Sequence, residues 1–111
     1  MCAIVIANCR KFSGTSPAAW AMAQSNKLHK SPGTEAQVAK FNSGRGIRCF
    51  CKSCGCAMWF ESIEYPEVVG IPLGVLDTEI LNKPEMHLWV ASQPKWCVMQ
   101  DDLPKFQQGP Q

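Results

Sequence analysis

The chain has 111 residues, 46% hydrophobic and 18% charged, with a formal charge of +2 from 11 Lys and Arg against 9 Asp and Glu. That length suits one domain spanning 1–111, with a polar tail over 107–111, and the apolar content argues against a disordered chain. The basic residues are scattered, which argues against the basic stripe of a nucleic-acid footprint. In chain order, residues 2–7, CAIVIA, read as a short buried strand, followed by a loop in NCRKFSGTSP. AAWAMA, 18–23, reads as a strand between turn signals, and SNKLHKSPGTEA as a polar segment broken by Pro32 and Gly33. QVAKFNS, 37–43, alternates apolar and polar like a half-buried strand, and AMWFES, 57–62, reads as another. YPEVVGIPLGVLD, 65–77, is β-rich, with Pro72 marking an edge or a bulge. DTEILNKPE reads as a turn, and HLWVAS, 87–92, and KWCVMQ, 95–100, as strands. The expected fold is mainly antiparallel β with little helix.

Seven cysteines stand out, and an odd number cannot pair fully within one chain. The apolar start lacks the charged and hydrophobic regions of a signal peptide, and no stretch is long and apolar enough to span a bilayer. The chain is therefore read as cytoplasmic, without membrane or nucleic-acid partners. In that compartment a cysteine-rich chain favours metal binding or thiol chemistry over disulfides.

Four of the cysteines crowd into RCFCKSCGCAMWF, 48–60. Cys51-Lys52-Ser53-Cys54-Gly55 is a CxxCG knuckle. Two thiolates at that spacing can grip one zinc because the chain turns tightly between them, and the glycine supplies the positive φ that closes the turn. Backbone N–H groups in such a turn can steady the sulfur charge. A tetrahedral site needs two further ligands. A redox pair is the competing reading, but it wants a helix N-terminus in a βαβ pattern. Buried free thiols are the other. Cys49 and Cys56 are expected to pack beside the knuckle, since all four cysteines on one tetrahedral zinc would be strained.

Elsewhere, His87 is expected as a core or surface histidine ahead of one that points into the pocket region, His29 as a solvated one and Cys97 as packed. Asp101 and Asp102 read as turn residues rather than a paired acid and base. Core packing accounts for most of Trp20, Trp59, Trp89 and Trp96. Arg10 and Lys11, directly after Cys9, would favour its thiolate or lie in a solvated loop.

These motifs, in this order, resemble the glutathione-dependent formaldehyde-activating enzyme family, which includes centromere protein V. The resemblance is carried by CRKFSGTSPAAWA (9–21), the FCxxCG knuckle, GVLD (74–77), HLWVASQPKW (87–96) and DDLPKF (101–106). It implies a β-rich architecture related to zinc ribbons. It implies a structural zinc held by an N-terminal Cys-x-Cys-Gly pair and the CxxCG pair. A second zinc, on a Cys-x-Cys-x-x-Cys motif, would leave one position open for a substrate thiol. The implied activity is a carbon–sulfur lyase on an adduct such as S-hydroxymethylglutathione, with zinc as cofactor and a small thiol such as glutathione as partner. A homodimer is left open.

By this resemblance Cys51 and Cys54 are structural-type zinc ligands and Cys9 is the third cysteine of the catalytic-type motif. The other two positions of that motif hold Ile4 and Ile6, which cannot bind zinc, and no Cys-x-Cys-Gly pair is found in the sequence. The chain then reads as a member whose start lies upstream or as a divergent one. The alternatives to the lyase are a non-catalytic metal-binding or interaction module and a metal-free remnant.

Overall fold

Runs of β-branched and aromatic residues, cut short by glycine and proline, build strands of three to seven residues in the computed structural model. The structure describes residues 2–4, 11–15, 18–79, 85–98 and 101–108. In chain order the strands are β1 (Cys2–Ile4), β2 (Ala18–Gln24), β3 (Val38–Asn42), β4 (Gly46–Cys51), β5 (Ala57–Ser62), β6 (Val68–Pro72) and β7 (Met86–Leu88). The four-residue helix α1 (Thr34–Gln37) precedes β3. The chain is mainly β, as its sequence predicts. No helix among the described residues is long and apolar enough to cross a membrane.

The contacts divide the chain into two units, Ala21–Asp77 and Met1–Trp20 with Thr78–Gln111. In the first, β3, β4, β5 and β6 form an antiparallel meander. The β3–β4 turn is closed by Gly44, at φ 95, whose N–H is accepted by Asn42 Oδ1 at 2.8 Å. Val38, Cys49, Trp59 and Val69 form the core, flanked by the half-buried Ala23, Leu28, Ile47 and Ile71. Gly46 is required where β4 meets β5, because a Cβ there would collide with the Phe60 ring and the Glu61 carbonyl. Pro72 ends β6, where its missing N–H costs no ladder bond. The register of β4 against β5 slips after Cys49. Cys49 faces Trp59 but Phe50 faces Ala57, so Met58 is the extra residue of a bulge.

In the second unit β1 runs antiparallel to the start of β2 and parallel to β7, with Ala3 opposite His87. The β1–β7 pairing is the parallel exception in a fold expected to be mainly antiparallel. A segment after residue 103 then follows β7, again in parallel. His87 N–H donates to Pro104 O at 2.7 Å, Phe106 N–H to His87 O at 2.8 Å and Trp89 N–H to Gln108 O at 3.0 Å. Ala18, Trp20, His87, Leu88 and Cys97 are buried. The strand expected over 87–92 stops at Leu88. Trp89 adopts the left-handed conformation (φ 59), and a 3-10 turn follows over Val90–Ser92. No strand forms over 95–98. There the chain turns, with Cys97 N–H donating to Pro94 O at 3.1 Å.

Candidate metal centre

Cys51 closes β4, opposite Val38, and the chain reverses through Lys52, Ser53 and Cys54. Three backbone bonds fix that reversal. Gly55 N–H donates to Cys51 O, Cys51 N–H to Cys56 O, and Lys52 N–H to Gln37 O, each at 2.9 Å. Gly55 takes φ 76, the positive value that the knuckle needs. The backbone N–H groups of Cys54 and Ser53, then the side chains of Cys54 and Ser53, lie near enough to the Cys51 sulfur to hold its pKa below the usual 9.0. Amide hydrogens aimed at sulfur favour the thiolate, which is the metal-binding form. Cys51 is half-buried and Cys54 exposed. A cleft of about 470 Å³, walled by Pro32, Val38 and Met58 among others, opens beside Cys51.

The structure therefore places Cys51 and Cys54 in one tight turn, three residues apart. Among the described residues no group of three or more His, Cys, Asp or Glu side chains could hold a metal ion. The described donors fit half of a zinc site and do not complete one. Cys9, the catalytic-type ligand implied by the resemblance, lies outside the described residues, as do Ile6 and Arg10.

Cys49 behaves oppositely. It is fully buried, and its thiol donates to Glu61 Oε1 at 3.7 Å. Burial, then the Glu61 carboxylate, raise its pKa to about 11, against the pull of Lys40. Glu61 also accepts from Trp59 Nε1 at 2.9 Å and lies 3.8 Å from Lys40 Nζ, while Lys30 Nζ sits 4.8 Å from the centroid of the Trp59 ring. Cys49 packs, as the sequence suggests. Cys56 does not: it is exposed, with its thiol donating to Ala57 O at 3.4 Å. None of Cys49, Cys51, Cys54 and Cys56 is in a disulfide.

A second cluster escaped the sequence reading. His87, buried in β7, places Nε2 2.9 Å from both carboxylate oxygens of Asp101. The hydrogen bond from His87, then that from Leu103 N–H, holds the Asp101 carboxyl below the usual carboxylate range, so Nε2–H donates and the carboxylate accepts. His87 Nδ1 is buried without a hydrogen-bond partner. Asp101 is thus a turn residue, as expected from DDLPKF, and also the histidine's partner. The signal for that pairing is nonlocal and no spacing rule carries it.

A family model described as glutathione-dependent formaldehyde-activating enzyme matches residues 2–92. The match contains the knuckle, every strand and His87. No curated protein matches the chain.

Proposed function

Since the chain belongs to the glutathione-dependent formaldehyde-activating enzyme family, we propose that it is a zinc-binding, thiol-handling protein of the cytoplasm. By resemblance it is a carbon–sulfur lyase acting on a glutathione-like adduct of the S-hydroxymethylglutathione type. The observation that carries this reading is the Cys51 sulfur, held toward thiolate by two backbone N–H groups and by Cys54 in a turn closed by Gly55. Cys51 and Cys54 are assigned as structural-type zinc ligands and Cys9 as a catalytic-type ligand. Zinc, when bound, supplies a Lewis acid that lowers the pKa of a thiol. The chain's own contribution is to pre-form the turn, so that two thiolates converge without the entropy of bringing them together.

Two measurements test the reading. Elemental analysis of the purified protein should find zinc. The protein should also accelerate exchange between glutathione, formaldehyde and their adduct, followed by NMR. Absence of zinc would sink the proposal. Zinc without acceleration would support a second reading, a non-catalytic metal-binding module. That reading is favoured by Ile4 and Ile6 at two ligand positions of the family motif and by the absence of a third donor among the described residues.

A further inference from the structure

We propose that a pocket beside the turn over 93–98 binds the carboxylate end of an anionic thiol adduct, so that the chain prefers acidic thiols of the glutathione type over neutral ones. The inference deepens the thiol-handling reading by naming which thiols are taken. The pocket is a cavity of about 460 Å³ in the unit that holds β7, lined by Val90, Gln93, Pro94, Lys95, Val98 and Lys105 together with Cys97. That volume lies in the range of small-molecule sites.

Two cations stand in its wall, and no described carboxylate does. Lys95 is exposed, and among the described residues its ammonium makes no hydrogen bond or ion pair. Lys105 Nζ donates to Asp101 O at 3.0 Å and to Leu103 O at 3.2 Å. Its third hydrogen stays available, because Asp101 Oδ1 is 3.7 Å away, beyond hydrogen-bond reach, and accepts from His87 and Leu103 instead. The Asp101 carboxylate offsets part of the Lys105 charge, so Lys95 supplies most of the attraction.

Both walls are formed in advance. Gln93 Nε2 donates to Cys97 O, and Cys97 N–H to Pro94 O, which closes the turn that carries Lys95. Val90 N–H donates to Phe106 O, and Phe106 N–H to His87 O, which fixes the segment that carries Lys105. A site ordered before binding loses less entropy when the ligand arrives. The rest of the lining selects the class of anion. Val90, Pro94 and Val98 are apolar, and a bare inorganic anion would leave them uncovered. An organic carboxylate uses both features: its charge meets the ammonium groups and its carbon chain covers the apolar wall. Glutathione and its adducts carry a net negative charge, whereas 2-mercaptoethanol is neutral.

Titration of the full chain with S-methylglutathione, followed by proton–nitrogen NMR, tests the proposal without requiring zinc or turnover. Shifts are expected at the amides of Lys95, Cys97 and Lys105 and at the Trp96 indole. Affinity should fall about tenfold for the diester of the same compound and in Lys95→Glu, and Lys95→Arg should restore it. Lys95 is exposed, so these variants keep the fold. Inorganic phosphate at the same concentration should give no comparable shift, and one as large would overturn the organic class. Absent binding, shifts confined to other residues, equal affinity for the diester, or no loss in Lys95→Glu would each overturn the pocket. If Lys95→Glu exchanges glutathione and formaldehyde with an unchanged KM, the pocket falls and the lyase reading stands. If binding depends on Lys95 in protein that neither holds zinc nor accelerates exchange, the lyase reading falls and the pocket stands.

Discussion

Cys49 and Cys51 stand two residues apart on one strand and share almost no chemistry. Cys49 lies in the core against Trp59, with burial and Glu61 raising its pKa to about 11. Cys51 lies where the strand ends and the amide hydrogens of the turn reach its sulfur, and its pKa is lowered. The backbone of an unbroken strand spends its N–H groups on the ladder. Only where the ladder stops are they available to a side chain. The same residue type is thus a packing element inside the sheet and a thiol turned toward thiolate at its edge.

Removing the core side of this contrast should have the largest effect. Trp59→Ala takes away the indole that covers Cys49 and the Nε1–H bond to Glu61, and should cost about 3–5 kcal/mol by denaturant unfolding. A loss below about 1 kcal/mol would mean that the core does not depend on this stack. Alkylation sharpens the comparison next. At pH 8 Cys51 should react with iodoacetamide more than about a hundredfold faster than Cys49, read by peptide mass spectrometry of metal-stripped protein. Equal rates would erase the distinction.

Stability at high pH comes third. Between pH 9.0 and about 11 the folded chain keeps the Cys49 proton that the unfolded chain has lost. The contribution is therefore whole below pH 9.0 and disappears as pH rises through about 11. The native Tm should fall across that window more steeply than that of Cys49→Ala, and parallel slopes would refute the assignment. The smallest effect belongs to the turn. With metal stripped, Cys54→Ser should change unfolding free energy by less than about 0.5 kcal/mol, because Cys54 is exposed. A larger loss would show that the thiol supports the fold without any ion.

The knuckle was legible in the sequence because its geometry is local: two cysteines, two spacers and a glycine whose φ is 76. β5 was legible over 57–62 for a similar reason, as the segment that leaves the knuckle directly. Other features depend on contacts that no spacing encodes. The Met58 bulge breaks the alternation that would have placed Cys49 and Cys56 alike, and one is buried while the other is exposed. Trp89 ends β7 in a left-handed conformation that sequence would assign to glycine. The turn onto Pro94 stands where a strand was expected over 95–100, of which 95–98 are described. His87 and Asp101 lie 14 residues apart in sequence, so their pairing and the aspartate's second role were hidden, although a buried His87 was one of the expected readings.

The neighbours of β7 bear on the order in which the chain can fold. β7 pairs with Ala3 on one side and Lys105 on the other, positions separated by most of the sequence. The meander from β3 to β6, by contrast, joins strands that follow one another. Loop closure makes sequence-distant pairing slow, and a growing chain cannot pair with residues not yet synthesised. The strands that carry the knuckle can therefore assemble during translation. β7 acquires its second partner only after residue 105 has left the ribosome, so the two thiols are presented before the unit around His87 closes.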